Sequence, residues 1–167
     1  GGVSPKYAND SIRQINERVR EELMDFSKLA GGIVMEEEGP LWYRGLALGD
    51  EESLTPHLEM VLSNNDARRI VVGHTVTGGA VMSRFGGRVI LIDVGLSAFY
   101  GGRLACLIIE KDRTYALHRG RKLELPSDSG GSLLDYLKQA AALDPPPSPL
   151  ETMIQRIEDK PTVPAYR

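Results

Sequence analysis

The first part of the chain carries apolar residues at helical spacing. One face of a predicted amphipathic helix, built at three- and four-residue steps, consists of Ile12, Ile15, Val19, Leu23 and Phe26. Ser11 and Gln14 have the spacing of a capping box at the start of this helix, which we expect to run to about Asp25. A second helix is predicted to begin at Thr55 and Pro56, because threonine caps helices and proline fits the first turn.

From residue 69 onward the spacing changes to that of β-strands. The apolar run of residues 70–72 stops at Gly73, which predicts a short strand that delivers His74 to a sheet edge. Further β runs lie at residues 80–85, 88–95, 103–110 and 113–119, followed by a predicted edge strand at 122–126. Because only short turns separate these runs, we expect antiparallel pairing in a meander.

The last part of the chain returns to helical spacing. A helix is predicted over Ser132 to Leu143, with buried positions at Leu133, Leu134, Leu137 and Ala141. A stiff DPPPSP linker, a short helix at about residues 150–158 and a proline-containing tail follow. The predicted fold class is α+β with an antiparallel sheet, in one main domain over residues 1–143 and a linker, helix and tail over residues 144–167.

Composition and charge narrow the range of possible functions. The 167 residues are 41% hydrophobic, and their net charge of −3 comes from interspersed acidic and basic residues. This balance does not favour nucleic-acid binding, and the absence of a long apolar run or a signal sequence predicts a soluble chain without a membrane role. Cys106 is the single cysteine, so it has no disulfide partner within the chain, and its apolar neighbours predict a buried, inert thiol.

His74 is the first candidate for chemistry. In the segment VVGHT, an apolar strand fixes the backbone and glycine gives room at the exit, so the imidazole stands at the loop. A ligand at the end of a rigid strand suits zinc, manganese or iron. The alternative is a hydrogen-bonded structural histidine. The two other histidines, His57 and His118, have no metal-spaced companion and are expected to be structural or exposed.

Arg44 and Tyr100 are two further candidates. In GPLWYRG, Arg44 stands between an aromatic pair and a glycine, and a guanidinium positioned by packed aromatics suits a phosphate clamp. The alternative is a surface arginine lying on Trp42 as a cation–π pair. In AFYGG, Tyr100 is presented from a loop next to a ligand, or it packs over the sheet edge at a glycine turn.

Together these segments resemble the calcineurin-type metallophosphoesterases, and among them the bacterial and Shewanella-like branch of the phosphoprotein phosphatases. GGVSP at the start is similar to a family segment whose preceding histidine binds metal; GPLWYRG resembles the segment with the phosphate-contacting arginine, here Arg44. VVGHT resembles the last metal-ligand motif, here His74, and the stretch that contains Tyr100 and Gly101 resembles the loop bordering the active site. The order and approximate spacing of these four segments agree with those of the family from Gly1 to about Glu110.

The resemblance implies a metal-dependent phosphatase that acts on phosphoproteins or small phosphoesters. It implies the second half of a four-layer α/β/β/α sandwich and a centre of two divalent ions, Mn, Fe or Zn. The family's Gly-Asp-x-His, Gly-Asp-x-x-Asp-Arg-Gly and Gly-Asn-His-Glu segments do not occur in this chain. We therefore expect a fragment whose site is incomplete, and which either pairs with a missing N-terminal half or self-associates.

The alternative is a catalytically inactive remnant or interaction module. In this interpretation, basic positions such as Arg84, Arg88 and Arg103 bind a partner, and the missing metal ligands reflect loss of activity.

Overall fold

The computed structural model describes residues 1–127 and 131–159. The helices are α1 Ile12–Met24, α2 Gly45–Leu48, α3 Glu51–Asn64, α4 Gly131–Ala141 and α5 Glu151–Glu158. The strands are β1 Ile70–Val72, β2 Met82–Arg84, β3 Val89–Leu91, β4 Ala105–Glu110, β5 Arg113–His118 and β6 Arg121–Glu124. This mixture confirms the α+β class; the predicted tail beyond residue 159 lies outside the described residues. No helix in the described ranges has the length and apolar character needed to cross a bilayer.

The helix starts follow local capping chemistry. At the start of α1, the capping box of Ser11 and Gln14 is present as predicted. The predicted start of α3 is wrong by one turn, because the side chain of Asp50 accepts a hydrogen bond from the Ser53 amide at 2.8 Å and caps the helix earlier. Acidic residues at the first two helical positions favour this start through the helix dipole.

The strands form two three-stranded sheets instead of one meander. In the first, ordered β1-β3-β2, β1 runs parallel to β3 with Val72 opposite Leu91, and β2 runs antiparallel to β3. In the second, ordered β4-β5-β6, all pairs are antiparallel, as expected for the later strands. The parallel pair places the carboxyl ends of β1 and β3 at one edge of the first sheet.

Three apolar clusters hold these elements together. One packs α2 and α3 on the first sheet, around Leu46 and Leu58. A second lies under the N-terminal segment and includes Val3 and Ile33. The third joins both sheets to α4 and α5, and Leu150 at the start of α5 has no exposed surface. Residues 150–157 are therefore part of the core packing.

Two predictions about burial need correction. Cys106 is exposed on β4, because its neighbours Ala105 and Leu107 pack against the third cluster and side chains alternate between the two faces of a strand. On α4, Leu137 is fully buried as predicted, but Leu133, Leu134 and Ala141 are only half-buried. Tyr136 takes a buried position instead, and its hydroxyl donates to the Val81 carbonyl at 2.8 Å.

Candidate functional site

Arg44 and His74 meet at the carboxyl end of β1. Arg44 occupies the N-cap position of the short helix α2, which packs on the first sheet through Leu46. Its Nη1 donates to the backbone carbonyl of His74, and also to the Thr75 hydroxyl at 2.9 Å. The guanidinium thus holds the loop that leaves β1, and two candidates thirty positions apart in the sequence are in direct contact.

The imidazole of His74 has a defined orientation. Its Nδ1 lies 2.8 Å from the carbonyl oxygen of Leu41. Because a carbonyl can only accept, this contact assigns the proton to Nδ1 and leaves Nε2 with a free lone pair in the neutral ring. The Trp42 ring lies 5.0 Å from the imidazole, tilted by 59°, and its own Nε1 donates to Val34. The tryptophan therefore supports the histidine.

This arrangement argues against the alternative interpretation of Arg44 as a cation–π partner of Trp42. Within the described ranges, no cation–π contact joins Arg44 to Trp42, so the arginine does not lie on that ring. The side-chain hydrogen bonds of Arg44 in this part of the chain all use Nη1. The adjacent Nε and Nη2 donors are left for another group.

The three residues singled out in the sequence line one open cleft of about 410 Å³. Its walls are formed by Arg44, Leu48, His74, Thr75, Val76, Asp93 and Tyr100. Tyr100 ends the 3-10 turn Ala98–Tyr100 and is 56% exposed at the cleft border. The structure therefore brings Arg44, His74 and Tyr100 together. His57 lies elsewhere, with Nε2 2.8 Å from the Val3 carbonyl, and buried His118 pairs with Asp144.

Asp93 is the cleft residue that the sequence reasoning missed. It stands two residues after β3, just as His74 stands two residues after β1, and β1 and β3 are parallel and in register. The carboxylate accepts a hydrogen bond from the Gly95 amide at 3.2 Å, which fixes it at the strand end. The sequence feature that could have identified Asp93 is an acidic residue directly after the apolar run of residues 89–92. It was lost because every strand pair was expected to be antiparallel.

The first residue of the chain also lies beside this cleft. The α-amino group of Gly1 donates to the Gly73 carbonyl at 3.4 Å. Partial burial and the nearby Arg44 charge lower the pKa of this amino group, while Asp93 opposes the shift. A side chain at this position would collide with the Pro40 carbonyl, 2.1 Å from the place of a Cβ atom. Glycine is thus required where the GGVSP segment meets the loop before Arg44.

The donor set is small for a metal centre. His74 offers one imidazole nitrogen and Asp93 one carboxylate, both on the carboxyl edge of the first sheet. Over residues 1–127 and 131–159, no group of three or more His, Cys, Asp or Glu side chains has an arrangement that could hold a metal ion. The residues present fit part of a shell, with further ligands needed from elsewhere.

Comparison with known proteins gives a limited result. No protein-family model matches the chain. No solved structure matches it either. The chain is similar to an uncharacterized protein of the fission yeast Schizosaccharomyces pombe, with 33% identity over 133 residues. The match covers 74% of this chain but only 40% of the relative, so the chain spans less than half of that protein's length.

Proposed function

We propose that this chain is the C-terminal half of a calcineurin-type metallophosphoesterase that hydrolyses phosphoproteins or small phosphomonoesters. The observation that carries the proposal is the single cleft lined by Arg44, His74 and Tyr100. These residues were singled out from separate segments, and a site that processes phosphate needs them side by side. In the complete protein, we propose that the two sheets belong to a four-layer α/β/β/α sandwich.

His74 is suited to be a metal ligand through Nε2. Histidines that bind metal usually donate their other ring nitrogen to a carbonyl or carboxylate, which fixes the tautomer and the ring plane. The contact of Nδ1 with the Leu41 carbonyl at 2.8 Å is of this kind. Asp93, at the equivalent position of the neighbouring strand, adds an anionic oxygen donor to the same edge.

Arg44 is suited to hold the substrate phosphate. Its Nη1 is tied to the His74 carbonyl and the Thr75 hydroxyl, so the side chain is positioned in advance. The free Nε and Nη2 donors form the side of the guanidinium that binds two phosphate oxygens. Because the contact runs to the backbone of the proposed metal ligand, phosphate and metal would be held at a fixed separation.

The remaining ligands would come from a preceding segment of the full-length protein. When bound, a pair of divalent ions (Mn, Fe or Zn) would lower the pKa of a water molecule and so supply the nucleophile for phosphoryl transfer. Exposed apolar surface is also available for packing against such a preceding segment. Exposed apolar residues on and after α1 are Ile12, Leu23, Met24 and Phe26.

The test uses the full-length gene product with Mn²⁺ and p-nitrophenyl phosphate. We expect metal-dependent hydrolysis, and in His74→Ala a fall in kcat/KM of about a hundredfold or more together with weaker metal binding by calorimetry. His57→Gln is the matched control, because this histidine lies outside the cleft and should leave metal binding unchanged. Unaltered activity and metal binding in folded His74→Ala would refute the assignment.

The inactive-module alternative has less support from the structure. The Arg84 guanidinium pairs with Glu51 and donates to the Leu46 and Gly49 carbonyls, so it serves the fold. Arg88 pairs with Glu59. A folded, metal-loaded full-length protein that hydrolyses no phosphoester would nevertheless favour this alternative.

A further inference from the structure

A second and larger cavity also borders Arg44. It has a volume of about 570 Å³ and is lined by Met35, Glu37, Glu38, Trp42, Tyr43, Arg44 and Gly45. Arg44 lines both spaces, so a phosphate held by its guanidinium has this cavity as its neighbour. A cavity of this size accommodates side chains beyond a phosphoryl group, and the proposed function alone does not use it.

The lining of the cavity carries two carboxylates, those of Glu37 and Glu38, and one cation, Arg44. Glu36 makes the internal contacts of this loop, with the Lys6 ammonium and the Tyr7 hydroxyl. Glu37 and Glu38 are exposed and form no ion pair with any cation in the described ranges. Partial burial raises the pKa of the Tyr43 hydroxyl, and the charge of Glu38 adds to this effect.

Aromatic rings make up the walls around these carboxylates. Trp42 is 43% exposed, and its indole N–H is anchored on the Val34 carbonyl at 2.9 Å, so the ring is held in place. Tyr43 follows it in the same wall. An aromatic surface next to carboxylates attracts a cationic side chain by cation–π and ion-pair interactions at once.

From this arrangement we propose that the preferred substrates are phosphorylated protein segments with a lysine or arginine next to the phosphorylated residue. The inference rests on the proposed function, because Arg44 must hold the phosphate. The positive charge of Arg44 and the negative charges of Glu37 and Glu38 then fix the direction of the bound segment. The basic side chain lies between Trp42 and Tyr43 and reaches Glu37 and Glu38.

The experiment compares two phosphoserine peptides that differ only in carrying lysine or glutamine beside the phosphoserine. With the full-length protein and Mn²⁺, we expect kcat/KM to be about tenfold higher for the lysine peptide, as an exposed ion pair and a cation–π contact together allow. The double variant Glu37→Gln, Glu38→Gln should remove this preference and keep turnover of p-nitrophenyl phosphate. The control Glu21→Gln, Glu52→Gln makes the same charge change away from the cavity and should keep the preference.

The outcomes separate the two levels of the argument. Equal kcat/KM for both peptides, or a preference that survives in the Glu37→Gln, Glu38→Gln variant, overturns this inference while p-nitrophenyl phosphate turnover upholds the proposed function. Faster hydrolysis of phosphocholine than of either peptide also overturns it, and indicates a small cationic phosphoester. Failure to hydrolyse any of these compounds overturns both proposals.

Discussion

Replacing Asp144 by alanine removes an acceptor that joins β5 to the segment leading into α5. The Asp144 side chain is 4% exposed, and its Oδ1 accepts from His118 Nε2 at 3.0 Å and from Arg119 Nε at 2.7 Å. Its Oδ2 accepts from the Ser148 hydroxyl at 2.8 Å. Breaking a buried network by removing the charged partner costs roughly 3–5 kcal/mol, because the groups left behind are unpaired. We expect Asp144→Ala to lose that much unfolding free energy in urea at pH 7.

The lowered pKa of Asp144 also predicts how the unfolding free energy changes with pH. Burial works to raise the pKa of Asp144, but hydrogen bonds from Arg119, Ser148 and His118 outweigh it, and the net pKa is lowered. A lowered pKa in the folded state means that the stabilisation is complete above the unfolded-state value of about 4 and is lost as pH falls through the folded-state value. The stability difference between wild type and Asp144→Asn should therefore shrink below about pH 4.

The assay is urea unfolding of both variants between pH 7 and pH 3, with Asp159→Asn as an exposed-carboxylate control. A loss below about 1 kcal/mol for Asp144→Ala would refute the reasoning, because that is the range of an exposed ion pair. A difference between wild type and Asp144→Asn that stays constant with pH would show that the charge of the carboxylate is not what stabilises the network.

Two further predictions test burial. Leu150→Ala should lower the unfolding free energy by about 3–5 kcal/mol and the Tm by about 10 °C, because Leu150 has no exposed surface. The control is Leu48→Ala, at an exposed leucine. Equal thermal-denaturation curves for the two variants would contradict core packing of α5. Cys106 should react with a thiol reagent in the native protein at a rate close to that in urea, because its side chain is exposed on β4; protection in the native state would contradict this placement.

The sequence predicted those features that depend on local chemistry. The capping box at Ser11 and Gln14 places the start of α1, and the apolar run before Gly73 places β1 and brings His74 to its end. Both signals lie within a few residues. The bounds of β4 and β5 also followed from alternating runs on either side of a short turn at Lys111, which has a positive φ of 55°.

Features that depend on distant segments were not predictable in this way. The parallel pairing of β1 with β3 depends on how the chain returns after β2, and the short turns suggested only neighbours. Asp93 was missed for this reason, because its place beside His74 follows from the parallel register. Cys106 was misjudged because an apolar run does not reveal which face of the strand is covered, and here the covered face is that of Ala105 and Leu107.

The backbone of His74 links these structural details to the proposed chemistry. His74 has a φ of 62°, in the left-handed region, which histidine enters more often than most non-glycine residues do. Asp66, Phe85, Lys111 and Arg119 share this conformation, so the φ value by itself does not indicate a function. His74 is distinguished by its contacts, because its Nδ1 donates to the Leu41 carbonyl and its own backbone carbonyl is bound by Arg44. An oriented ring at a strand end, with Nε2 free, is the arrangement that the proposed metal ligand requires.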